Sequence, residues 1–241
     1  ARHIYLSTFC DGWYRVDPEA FGEQIQSLEE KIMTEKENPV VYPDLSEYTI
    51  LFLGDSIIGI DRATTSIPGV VGSLSGAQVY NGGQGGLTGT WIPGTDSFLS
   101  MVDLAEGRNE DSFALDSGWV QSILDFKNRK QKEEILVIVI NFGLNDYFQG
   151  QKVENENDLC DINTYAGGLR TGIQRLQAAY PQAEIVLMGP TYITLFQEGN
   201  EKLSKEGGCL KDYMVAAEEV ARDCGIHFKN NYLDLGIDAS N

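Results

Sequence analysis

Histidine is nearly missing from this chain: there are two in 241 residues, His3 and His227. Basic residues are scarce as well, 18 Lys and Arg against 36 Asp and Glu, for a formal charge of −18. With so little positive charge, no basic patch is expected that could hold nucleic-acid phosphates or an anionic membrane, so neither is an expected partner. Polyanionic substrates are disfavoured too. The longest purely apolar run, Ile135 to Ile140, is far short of the roughly 20 residues that cross a bilayer as a helix. The four cysteines, Cys10, Cys160, Cys209 and Cys224, show no CxxC spacing. Zinc is therefore not expected, nor is any other metal or cofactor. Cys209 and Cys224 bracket a helical pattern long enough to hold them apart. Buried free thiols are expected, with pairing of Cys10 left open. The chain has no initiator Met and no secretory leader pattern; residue 1 marks a processing site or a boundary, and cytoplasmic and secreted settings both stay open.

What is present reads as an α/β protein. Apolar strands are expected at 48–53, 77–80, 135–141, 184–188 and 226–229, and amphipathic helices at about 115–129, 164–179 and 209–223. Segment 57–75 carries a helix or an irregular crossover. Strands apolar on both faces, alternating with one-sided helices, call for a parallel sheet covered on both sides. The expected fold is a three-layer α/β/α sandwich around a mostly parallel five-stranded sheet, flavodoxin-like, over residues 48–241. Residues 1–47 form an N-terminal appendage packed on it. It carries a possible short strand at Ile4–Leu6 and a helix opening at Asp17-Pro18, with Phe21, Ile25, Leu28 and Ile32 on one stripe.

Right-handed crossovers place every strand-to-helix loop on one sheet edge. Three of those loops carry chemistry: Gly54-Asp55-Ser56, Asn81-Gly82-Gly83-Gln84-Gly85-Gly86, and Gly143-Leu144-Asn145-Asp146. The first supplies a hydroxyl, the second a backbone with no Cβ to block close approach, and the third a neutral amide donor. An ester carbonyl needs this set: an oxygen nucleophile, and donors aimed at the developing oxyanion. Taken singly, each is also an ordinary turn, and a serine after a strand is often only a helix cap. Their shared placement after parallel strands separates them from that explanation.

The three segments resemble the blocks of the SGNH hydrolases, or GDSL-type esterases, across residues 48–241. The resemblance implies Ser56 as nucleophile, Gly86 and Asn145 as oxyanion-hole donors, and Asp55 and Asp146 as residues that order the loops. It implies a small carboxylic ester as substrate, with O-acetyl groups on carbohydrate fitting the acidic surface. Trp91, Tyr147 and Tyr192, following the glycine cluster and the third and fourth strands, are the expected substrate-binding aromatics. Residues 89–118 form a long acidic insertion expected to act as a rim or lid.

One block is missing. The family places Asp-x-x-His after the last strand, and neither histidine here has an Asp three positions earlier. His227 falls at a strand start on the edge opposite the site, where a structural role is expected. The simplest reconciliation is that the block lies beyond Asn241; a hydrolytically dead homologue, or a base from another chain, are the rarer ones. An α/β-hydrolase would want Gly-x-Ser-x-Gly, which does not occur. A nucleotide site would want Gly-x-Gly-x-x-Gly after the first strand or Gly-x-x-x-x-Gly-Lys, and neither is present. A non-catalytic carbohydrate-binding homologue is the remaining alternative.

Overall fold

The computed structural model describes residues 5–7, 13–15, 41–115, 117–129, 135–193 and 207–237. The chain divides into two units, Ala1–Pro43 and Asp44–Asn241. In the first, β1 (Tyr5–Ser7) pairs antiparallel with β2 (Trp13–Arg15). The helix expected through Phe21 and Ile32 lies outside the described residues.

The second unit is built on β3 (Tyr48–Gly54), β4 (Gln78–Asn81), β5 (Ile135–Asn141), β6 (Glu184–Met188) and β7 (His227–Lys229). They form one sheet in the order β4-β3-β5-β6-β7, and every pairing is parallel. This is the flavodoxin-like order. The chain runs from β3 to one neighbour, then crosses back to the other, so the crevice of the topological switch opens at the carboxyl ends of β3 and β5. Open α/β proteins bind ligands at that crevice.

The alternation along β3 explains the layers. Ile50 and Phe52 face one way, in a cluster with Ile58 and Val71, from α1 (Ser56–Gly59) and α2 (Ile67–Ser75). Leu51 and Leu53 face the other way and join the larger core with Ile138, Ile140 and Leu187. That core includes Phe98 and Met101 of α3 (Phe98–Glu106), Ile123 of α4 (Gly118–Asn128), Leu169 and Ile173 of α6 (Tyr165–Ala179), and Tyr213 and Ala217 of α7 (Leu210–Cys224). Short helices among the described residues include α5 (Leu144–Gln149) after β5 and α8 (Asn231–Asp234) after β7.

Two sequence expectations change. Residues 89–118 are not a lid throughout, because their centre is α3, with Phe98, Leu99, Met101, Val102, Leu104 and Ala105 all buried. Its acids Asp103 and Glu106 turn toward Arg175 of α6 and pair with it. The thiols are not buried either: Cys160 is exposed, Cys209 and Cys224 are half-buried, and all three are free. Cys10 lies outside the described residues.

Candidate active site

Ser56 opens α1 directly after β3. The helix cap is its neighbour: Asp55 Oδ1 accepts the Ile57 N–H at 2.9 Å. Capping, the plain explanation for a serine in this turn, is thus already supplied, and no bond ties Ser56 Oγ to another described residue. The Asp55 N–H reaches the Asn141 carbonyl at the end of β5, 3.3 Å away, which ties the serine turn to the neighbouring strand.

The glycine loop after β4 is fastened beside this turn. Gly82 N–H donates to Phe52 O (2.8 Å) and Gln84 N–H to Gly54 O (2.9 Å). The Asn81 side chain braces the loop from within, giving its amide hydrogens to Ile58 O and Asp61 O (3.2 Å each) and accepting from Gly83 N–H at 3.1 Å. Helix α1 rests directly on the loop: a Cβ built on Gly59 would fall 2.2 Å from the Gly83 carbonyl carbon. Gly86 holds φ at +84°, a conformation other side chains rarely adopt. A Cβ built on Gly85 would stand 3.6 Å from the Ser56 Cβ, so this part of the loop borders the serine.

Asn145 comes from the other side. It lies in the first turn of α5, and its Nδ2 donates to Leu87 O at 2.9 Å. Its second amide hydrogen meets no acceptor among the described residues. Gly54-Asp55-Ser56, Gly85–Leu87 and Asn145 therefore meet around one loop, at the switch between β3 and β5. Beneath them Asp146, fully buried, accepts from Gly89 N–H (2.9 Å), Thr90 N–H (2.9 Å) and Thr90 Oγ1 (2.6 Å), fixing the chain that leaves the glycine loop. Asp55 and Asp146 thus hold loops, the part expected of them.

Burial pushes the Asp55 carboxyl up to about 7, against the lowering pull of the Ile57 N–H and with a smaller push from Asp146. Burial raises Asp146 as well. The sign of the consequence follows from linkage. Between about pH 4 and 7 the folded chain keeps a proton on Asp55 that the unfolded chain releases. This contribution to stability is complete below about pH 4 and is lost as pH rises through about 7. Asp55→Asn keeps the Oδ1 acceptor and removes the titration. Urea unfolding measured across this range should show a decline of about 2–4 kcal/mol in the parent and a visibly flatter profile in the variant.

Sequence inspection missed Arg62. Its guanidinium donates to Asn81 O at 2.6 Å and to Gly83 O, clamping both ends of the tightest part of the loop. The available signal was its isolation: it is the sole basic residue between Tyr48 and Gly107. Arg62→Ala is expected to lose about 1–2 kcal/mol in urea unfolding, the low end for two charge-assisted bonds on an exposed side chain. Arg62→Lys should recover less than half, because an ammonium cannot fork to both carbonyls.

The three expected aromatics do not line the site as a group. Tyr147 is 3% exposed and packs against Tyr213 and Phe148 in the core, so it offers no face to a substrate. Tyr192 is half-buried with its ring edge-on to Tyr232. Trp91 is 37% exposed, on a loop tied to Ile162 O. A cleft of about 280 Å³ does open along Gln84–Thr88, but its other walls are Ile92, Thr95, Asp96, Trp119 and Gln149.

His227 starts β7, the edge strand three places from β3, level with Val139 and Phe52; it is exposed and 3.2 Å from Glu184 Oε2. It is the only histidine among the described residues. No group of His, Cys, Asp and Glu among the described residues is arranged to hold a metal ion, and no described helix is long and apolar enough to cross a membrane.

No protein-family model matches the chain, and no curated protein does. Solved structures do. One is similar at a TM-score of 0.60 with 24% identity, covering 81% of this chain and 82% of its own. A protein from Lactobacillus plantarum is similar at 0.54 with 19% identity, over 80% and 81%. A possible lipase from Chitinophaga pinensis is similar at 0.50 with 19% identity, over 77% and 68%. These likenesses show a shared α/β/α fold.

Proposed function

We propose that the chain is a serine esterase acting on small carboxylic esters, O-acetyl groups on carbohydrate among them. The observation that carries this is the position of the Gln84–Leu87 loop. It is bonded to the Ser56 turn on one flank and to Asn145 on the other, which supports a reading in which the hydroxyl, the glycine backbone and the amide act together. In this reading Ser56 Oγ attacks the ester carbonyl carbon while a general base takes its proton. The tetrahedral oxyanion is held by the N–H groups of Gly86 and Ser56 and by Asn145 Nδ2. Collapse breaks the bond to the alkoxy oxygen, which leaves as the alcohol with the proton. Water then cleaves the acyl-serine to release the acid. His227, three strands away from β3 and beside Glu184, does not serve as that base.

An alkyl fluorophosphonate tests the nucleophile directly. Mass spectrometry of the treated full-length protein should find the adduct on Ser56; an adduct elsewhere, or none, would overturn the assignment. The second reading, a carbohydrate-binding protein that keeps the fold without hydrolysis, draws on the placement of His227 and gives no adduct.

A further inference from the structure

We infer that the cleft beside the glycine loop is the subsite for the alcohol half of the substrate, and that it takes a neutral polyhydroxylated ring. The inference rests on the esterase reading for the word substrate, but not for the binding itself.

Contiguity comes first. Gly85 lines the cleft and also borders Ser56, so a single glycine links the cleft to the serine turn. Size comes second. A volume of about 280 Å³ lies just under the range of about 300–1,000 Å³ that holds drug-sized ligands. One ring fits; a long acyl chain or an oligosaccharide does not fit inside.

Chemistry then separates the candidates. The polar lining residues are Gln84, Gln149, Thr95 and Asp96, with Thr88 and Trp119 almost fully buried in the wall. An aliphatic acyl group would strip water from these polar groups and return no hydrogen bonds. An anionic ring would meet Asp96 with no Lys, Arg or His in the wall to offset it. An ammonium would suit Asp96 but, being a donor only, would leave the glutamine N–H groups unmatched. Sugar hydroxyls both donate and accept. The Thr95 hydroxyl already donates inward, to Ile92 O, and so offers its lone pairs to a ligand. The Gln84 side chain has no partner among the described residues, and Gln149 reaches only Gly86 O, at 3.5 Å. Asp96 is the discriminating residue, since a carboxylate accepts strongly from hydroxyls and repels a ring carboxylate.

The experiment compares three rings of one size in the full-length protein by calorimetric titration: methyl glucoside, glucosamine and glucuronate. Methyl glucoside should bind saturably and weakly, with glucosamine no tighter and glucuronate about 10-fold weaker. Asp96→Asn should narrow the gap between methyl glucoside and glucuronate, and Gln149→Ala should weaken methyl glucoside several-fold. Absence of saturable methyl glucoside binding, glucosamine as the preferred ring, or a gap unchanged by Asp96→Asn would each overturn the inference. The two readings fail separately. Sugar binding without a Ser56 phosphonate adduct removes the esterase and keeps the subsite. An adduct without sugar binding does the reverse.

Discussion

Ser56→Ala in the full-length protein is expected to lower kcat toward p-nitrophenyl acetate by on the order of 10⁴–10⁶-fold, the range found when a serine nucleophile or its partner is removed from a comparable hydrolase. KM should change little, because the hydroxyl matters to the transition state rather than to the bound ester. Thermal unfolding should move little as well. Ser56 Oγ has no bond to another described residue, and the cap of α1 is supplied by Asp55. That combination separates a nucleophile from a structural serine. A buried or capping hydroxyl would cost stability on removal, whereas this one should cost rate alone. Rates within a few-fold of the parent would remove Ser56 from the chemistry.

Asn145→Ala is expected to cost about 10²–10³ in kcat, the worth of one oxyanion donor. The physical basis is the division of labour within one amide. One N–H is committed to Leu87 O, which fixes the side chain at the loop, and in the proposed mechanism the other meets the developing negative charge. Preorganised in this way, the donor needs no reorientation as the charge forms. Asn145→Asp should be at least as damaging, since a carboxylate keeps the shape, cannot donate when ionised, and repels the oxyanion. The split between constants carries the test. A donor to the transition state lowers kcat and kcat/KM together, whereas loss of a ground-state contact would raise KM with kcat unchanged.

The strands were legible in the sequence because their information is local. Each is an apolar run bounded by a turn, and the parallel sheet follows from burial on both faces. Ser56, Gly86 and Asn145, the residues of the proposed site, stand out in the sequence for a related reason: each follows such a strand. Tyr147 does not face the site because the segment after β5, which reads in sequence as the Gly143–Asp146 loop, is helical from Leu144 to Gln149. This is α5, and residues two apart on a helix point to nearly opposite sides. With Asn145 turned to Leu87, Tyr147 must face the core. Helix α3 was hidden by its acids, although its stripe of Phe98, Met101, Val102 and Ala105, closed by Gly107, is there to be seen. The acids balance Arg175, a partner distant in sequence that no local pattern reveals. Arg62, Asp96 and Gln149 belong to that class too. Their roles depend on which carbonyl or cleft the fold brings to them.

The strand order has a consequence for the newborn chain. Emerging from the ribosome, β3 finds β4 within a few turns of synthesis, but its other edge must wait for residues 135–141. Through that interval Ile50, Leu51, Phe52 and Leu53 sit on an unmated margin, the kind that recruits other polypeptides into aggregates. The same central position that sets a hydroxyl at the crevice makes its strand the one most in need of shelter during translation.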